Sequence, residues 1–410
     1  MSNDTKSRRR VLEGAGMVGL TALAGCTGGG GGEDGGGSNG DGNGSDGDGG
    51  GDGGDGGGSD YSGETLNILT WAGYEGVAKQ TEDETGASTN IKLISSDVDG
   101  FNTLKGGGTN QFDVMVLDNT WAKRNARADT IKPVEKEDYP VVADGKIMDQ
   151  FGWPYDTFGH DGDQWAVPPR WGWGGLGYHD DKVELSELKE KGYTVVWEGD
   201  YDVTTADWPT WVIPLVILQL FDLDGENPMA VELSDSQLEE LEETLVKMFD
   251  NVTAVHAGAA ALREDMLNDN AQLVFGTGNF GLSQLPAEGH DWMKVMVPPE
   301  VGGWYWTEGL TLVNNPDLNR GLANEFFNNC LTPEGQYSIC WEDAKSKGAP
   351  TNEEAFDEFS DEEQRKIMMW EDKGFEAADE LLDELYQYLI SPQQDQWLDI
   401  WERAKANSDL

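Results

Sequence analysis

Basic residues are scarce. The 410-residue chain carries 28 Lys and Arg against 77 Asp and Glu, a formal net charge of −49. That balance excludes nucleic acid as a partner, because phosphate binding takes clustered Lys and Arg. Histidine is scarcer still, with only His160, His179, His256 and His290. None of them sits in a His-Glu-x-x-His zinc pattern, and there is no Gly-x-Ser-x-Gly nucleophile elbow. The glycine-rich runs lack the Lys of a phosphate loop. No catalytic set, metal site or cofactor is therefore expected, although a glycosidase-type carboxylate pair could hide among so many acids. Long apolar runs are missing as well. The stretch 17–23 is too short to span a bilayer.

Aromatic residues are plentiful, with 16 Trp, 13 Phe and 11 Tyr. Acidic chains are often disordered, but one this rich in rings has a core to bury. A folded, aromatic-rich chain with an acidic surface implies a protein built for multimolar salt, which screens like charges to about 3 Å. A surface made to attract polycations is the competing reading. It is weaker, because the acids are spread along the whole chain.

Three Cys fall into two groups. Ser7-Arg8-Arg9-Arg10-Val11-Leu12 matches a twin-arginine export motif, and Leu23-Ala24-Gly25-Cys26 matches a lipobox that would place lipid on Cys26. Residues 27–63 are mostly Gly, Asp, Ser and Asn, the composition of a flexible tether. Their Asp-Gly spacing is too irregular for a calcium loop. Two readings stand for Cys330 and Cys340: a disulfide closed by a turn near Pro333, or two separate buried thiols. Asn43 and Asn251 head glycosylation sequons, which are weak signals.

From residue 64 onward strands and helices alternate. Strands are expected at 66–70, 91–94 and 114–117, with helices between them, which gives a parallel α/β sheet. Ligands bind such sheets at the strand C-termini, where Trp71, Tyr74 and Asp118 lie. Residues 165–169 read as an extended crossing segment, followed by the Gly-rich 172–177. Helices follow at 208–220 and 236–249, then strands at 272–275 and 293–297, and the chain re-enters strand-like sequence at 309–313. A lobe that is left and later re-entered implies two lobes with two crossings, the plan of a hinged clamp. The expected lobes are 64–168 with 309–350, and 169–308 with 351–410.

Five segments, in order, resemble the spermidine/putrescine-binding family of ABC-importer substrate-binding proteins. They are Trp71-Ala72-Gly73-Tyr74, Asp113-Val114-Met115-Val116, Val167-Pro168-Pro169-Arg170-Trp171-Gly172, Trp306-Thr307-Glu308 and Gly348-Ala349-Pro350-Thr351-Asn352. The resemblance runs from about residue 64 to the end. It implies a two-lobed periplasmic-binding-protein type II clamp serving a membrane permease; with the export motif and lipobox, the expected protein is a lipid-anchored monomer on the extracellular face of the membrane. It also implies a cationic organic ligand, held by Trp71, Tyr74, Asp207, Trp306 and Glu308, with Asp118 and Gln387 at further family positions. In that family carboxylates meet the ligand amines while rings cover its methylenes, and each ring face in contact with a cation adds about 1–2 kcal/mol.

The departures from the family pattern matter. Thr210 replaces a second central acid, Gly276 a Trp and Ala349 a Tyr, while Arg170 adds positive charge inside the crossover. Trp171, Trp173 and Trp211 read as packing rather than ligand contacts. The main rival is the same clamp holding a sugar or a thiamine-like ligand, since function lives in the site and not in the fold. A secreted hydrolase and a structural surface protein are more distant alternatives. The latter would show repeated short strands, which this chain lacks.

Overall fold

The computed structural model describes residues 60–344, 346–369 and 374–410. The export motif, Cys26, Asn43 and the tether up to residue 59 lie outside the described residues. The elements used below are strands β1 (Thr65–Thr70), β2 (Ser88–Leu93), β3 (Val114–Asp118), β4 (Arg170–His179), β5 (Val203–Ala206), β6 (Val252–His256), β7 (Leu273–Gly278), β8 (Gly303–Val313) and β9 (Leu385–Gln387). The helices are α1 (Glu75–Thr85), α2 (Asp97–Lys105), α3 (Asn119–Arg127), α4 (Pro209–Leu220), α5 (Asp235–Asn251) and α6 (Gln394–Asn407).

The main sheet runs β2-β1-β3-β8-β4-β7-β5-β6. Strands β2, β1 and β3 are parallel, and so are β7, β5 and β6, while β8 runs antiparallel to β3 and β4, β4 runs antiparallel to β7, and β9 joins the edge of β8 in parallel. The expected strand-helix alternation is therefore present on both sides of a central antiparallel pair.

Strand β8 joins the two halves. Its Glu308–Leu312 stretch pairs with β3, and its Trp304–Thr307 stretch pairs with β4. The change of partner falls between Thr307 and Glu308. A bridge between Val167 and Leu310 lays the incoming chain alongside the returning one. These are the two crossings, and every residue of β4 and β8 is buried.

Alternation explains how such strands bury both faces. In β4, Trp171 and Trp173 point into one hydrophobic cluster, together with β1, β3 and Phe151. Trp304 and Trp306 of β8 belong to a second cluster with α4, α5 and α6. The register sets Trp304 opposite Gly174 and Trp306 opposite Gly172. A Cβ at Gly174 would overlap Cζ2 of Trp304, and one at Gly172 would stand 2.7 Å from Cζ2 of Trp306. The Gly-rich run is thus a strand whose missing side chains make room for indoles.

Local signals agree elsewhere. Ser96 caps α2 by accepting the Asp99 N–H, and Ser234 with Gln237 forms a capping box on α5. Helix α4 is apolar all round because Val212 to Ile217 are all buried. After residue 351, Phe356, Phe359, Ile367 and Leu381 pack into the first cluster, while Trp397, Ile400 and Trp401 of α6 pack into the second. Among the described residues no helix is long and apolar enough to cross a membrane.

Candidate functional site

At the change of partner in β8, Glu308 lies directly opposite Asp118, the last residue of β3. Residues so paired project on one side of the sheet. Tyr74 reaches the same point from the loop after β1 and donates its hydroxyl to Glu308 Oε2 at 2.5 Å. Gly73, at φ 108°, shapes that loop, since a Cβ there would stand 3.1 Å from the Ala344 backbone.

Arg170 takes most of Glu308's bonding capacity. Its Nε donates to Oε2 at 2.8 Å and its Nη2 to Oε1 at 2.6 Å. Its Nη1 donates to the carbonyls of Ile339 at 2.7 Å and Ser346 at 3.4 Å. Both charged residues are only 3% exposed. Burial, the largest single effect, lowers the Arg170 pKa, but Glu308 together with Tyr74 and Cys340 outweighs it and the net shift is upward. Burial, and then the Glu308 charge, drive the Tyr74 hydroxyl well above its ordinary value. The expected ligand carboxylate is thus already in a fork-on-fork pair with an internal cation.

A second acidic group lies alongside. Asp97, at the start of α2, is buried and accepts the main-chain N–H of Asp118 at 3.0 Å. This brings the two carboxyl groups side by side. Burial raises Asp97 to about 6, against the pull of the Asp118 N–H. Burial also raises Asp118 well above the usual carboxylate range, helped by the charges of Asp97 and Glu308. Asp118 occupies the N-cap position of α3, yet its side chain makes no capping bond. Asp97 has no motif to mark it. Its only sequence signal is its place just after a strand C-terminus.

The aromatic wall comes largely from the other half. Trp306 is 3% exposed, and its indole N–H has no partner. Its ring meets Phe280 edge-on at 5.6 Å. Trp211 packs among Trp208, Phe280, Trp304 and Tyr388. Trp71 is half-buried against the first cluster, and its N–H is also unpartnered. Trp171 and Trp173 are core, as expected, and Trp171 donates to the Pro350 carbonyl at 2.9 Å. No motif marks Phe280 or Tyr388 in the sequence. The Tyr388 carbonyl accepts from Asn119 Nδ2 at 2.9 Å, a bond between the two halves. A cavity of about 450 Å³ lies between Thr120, Trp121 and Arg124 of α3 and Thr210, Tyr388 and Asp395 opposite.

Two expected residues stand apart. Asp207 faces α6, where its carboxylate accepts from Trp401 Nε1 at 2.8 Å and from Lys405 Nζ at 3.0 and 3.2 Å. The structure does not bring it to Glu308. Gln387 lies on β9 beside Tyr305, and its main-chain carbonyl accepts from Asn227 at 2.6 Å. Its neighbour Tyr388 is the residue that meets the Trp211 and Trp304 rings. Cys330 and Cys340 are two buried free thiols, so of the two sequence readings the unbonded one is observed. Among the described residues His179, Asp180 and Asp181 bring possible metal-ligand atoms within 4.8 Å of one another, at the far end of β4 from Arg170.

No family model matches the chain. It is 22% identical over 289 residues to a putrescine-binding periplasmic protein of Pseudomonas aeruginosa, covering 66% of this chain and 74% of that one. A spermidine/putrescine substrate-binding protein from Streptococcus pneumoniae shares its fold with a TM-score of 0.67 at 18% identity, covering 84% of this chain and 99% of the other. A periplasmic thiamin-binding protein superposes with a TM-score of 0.55 at 16% identity, covering 83% and 96%. The two halves joined by β4 and β8 and these likenesses agree on the fold: this chain has the two-lobed, type II periplasmic-binding-protein architecture, and its sequence is similar to that of a putrescine-binding protein.

Proposed function

We propose that this chain is the substrate-binding component of an ABC importer and that it captures a cationic organic solute, of the polyamine kind, between its two lobes. The observation that supports this most is the convergence of Tyr74, Asp118, Trp306 and Glu308 on the point where β8 changes partner, with Trp71 on the loop that carries Tyr74. A cation leaving water needs carboxylates, and its carbon chain needs ring faces. The likeness to a putrescine-binding protein favours the same ligand class. A ligand touching both halves favours the closed clamp, and a permease then recognises that form. Export by the twin-arginine motif, a lipid on Cys26 and the tether belong to this reading, in which the protein works as a monomer on the extracellular face of the membrane. So do lobes bounded at 64–168 with 309–350 and at 169–308 with 351–410.

The test is binding by the full chain, with Cys26→Ser to prevent lipidation, in multimolar KCl. Calorimetry would compare putrescine, spermidine, choline, thiamine and simple sugars. Binding of amines and not sugars is expected, and Trp306→Ala should weaken it by roughly 2 kcal/mol. Binding of sugars alone would keep the clamp and overturn the cation.

A further inference from the structure

The geometry points to the Asp97–Asp118 carboxyl pair, rather than Glu308, as the charged group that recognises the ligand, and to an organic cation with a single ammonium head as what it takes. This rests on the reading of the chain as a cation-binding clamp and narrows it.

The first step is what Arg170 removes. Both oxygens of Glu308 are held by the guanidinium, and one of them also accepts from Tyr74. A buried acid so paired presents no net charge to a ligand. Arg170 in turn spends its Nη1 on two carbonyls, so it offers little to a ligand anion. Asp207 is neutralised elsewhere by Lys405. That leaves Asp97 and Asp118, whose charged neighbours are each other, Glu308 and, more weakly for Asp118, Arg170, which is itself committed to Glu308.

The second step is what surrounds the pair. Strand β1 lies between β2 and β3, so its last residue, Thr70, ends between the element that leads to Asp97 and the one that ends at Asp118. Thr70 is fully buried, and its hydroxyl has no partner. Asn119, next to Asp118, is fully buried too. Its Nδ2 is fixed on the Tyr388 carbonyl, which leaves Oδ1 unpartnered. Both orphaned oxygens can accept hydrogen bonds, and an ammonium group brings three donors and no acceptor. Two carboxyls with Thr70 Oγ1 or Asn119 Oδ1 would satisfy all three. Buried acceptors left unpaired are costly, which is why such atoms mark ligand positions.

The third step is what is missing. A diamine needs a second carboxylate at its far end. Thr210 stands where the resembling family has that acid, and beside the pair the opposing half offers Tyr388, Thr210, Trp211 and Trp306. These groups suit an apolar or hydroxylated body better than a second charge.

The experiment measures calorimetric affinity for n-butylamine, choline and putrescine in the full chain with Cys26→Ser, then in Asp118→Asn, Asp97→Asn and the double variant. Asn keeps the shape of Asp and one oxygen able to accept, as Asp97 accepts the Asp118 N–H, and it removes a buried carboxyl repulsion, so these variants should fold. Circular dichroism checks that. Putrescine and at least one monocation should bind within tenfold of each other. Both single variants should lose at least tenfold toward every cation. Cation binding that survives in the double variant overturns this assignment while leaving the clamp reading intact. A hundredfold preference for putrescine over both monocations overturns the single-head inference alone. Absence of any cation binding in the unsubstituted site overturns the clamp's cation specificity and this inference with it.

Discussion

Arg170 grips Glu308 through both carboxylate oxygens, at 2.8 and 2.6 Å, in a place where each is only 3% exposed. Arg170 comes from the outgoing crossing and Glu308 from the returning one, so the pair pins the two crossings together. Removing one partner leaves a buried charge alone. Glu308→Gln should therefore lower unfolding free energy by about 3–5 kcal/mol. The double variant Arg170→Met with Glu308→Leu should recover most of that loss, since a buried ion pair is often no better than an apolar replacement. Urea denaturation of both variants checks this. Equal losses in the two would show that the pair contributes more than mutual neutralisation.

Gly174 faces Trp304 so closely that a Cβ would overlap the ring. Because the Trp304 Nε1 also donates to the Trp211 carbonyl at 3.0 Å, the indole has little freedom to retreat. Gly174→Ala should cost about 1–3 kcal/mol of stability. Gly172→Ala presses instead on Trp306, so a comparable stability loss should come with weaker ligand binding. Denaturation and calorimetry on the two variants separate the effects.

This pairing also shows why parts of the chain are legible in sequence and others are not. Strands β1 and β3 announce themselves through Leu66, Ile68, Val114 and Val116, and the capping serines mark α2 and α5. Strand β4 is as buried as either, but its residues are largely Trp and Gly, and glycine is a poor strand former in isolation. Its strand character depends on the Trp residues of β8, far along the chain. The site behaves the same way. Trp71, Tyr74 and Trp306 can be placed by motif, whereas Asp97 becomes interesting only when β2 and β3 flank β1. Arg170 is visible in the sequence, but its partner is not. A motif position says nothing of where a carboxylate turns, and α6 offers Asp207 the bonds of Trp401 and Lys405.

Asp207 supplies a contrasting test. Its bonds to Trp401 and Lys405 tie the end of β5 to α6. The Lys405–Asp207 pair is partly exposed, so its worth is small, and the bond to the Trp401 indole matters more. Asp207→Ala should cost about 1–2 kcal/mol in urea denaturation and leave ligand affinity within a factor of two. A tenfold or larger affinity loss at unchanged stability would return Asp207 to the ligand site.

The acid pair should leave its mark on stability as pH changes. Asp97 is raised to about 6 in the fold, chiefly by burial, against about 3.9 for an unperturbed Asp. A raised acid binds its proton more tightly when folded. Its contribution is therefore complete below about pH 4 and fades as pH climbs through 6. Asp118 shifts the same way, from burial and then from the Asp97 and Glu308 charges, so the decline extends above 6. Ligand-free protein should accordingly lose stability between pH 5 and pH 8, and Asp97→Asn should lose less over that range, by on the order of 1–2 kcal/mol. Parallel urea titrations at pH 5, 6, 7 and 8 in constant salt measure it. Identical slopes for the two proteins would mean that the carboxyls do not share a buried site. A saturating cation should flatten the unsubstituted protein's curve, because its charge replaces the proton that the pair otherwise retains.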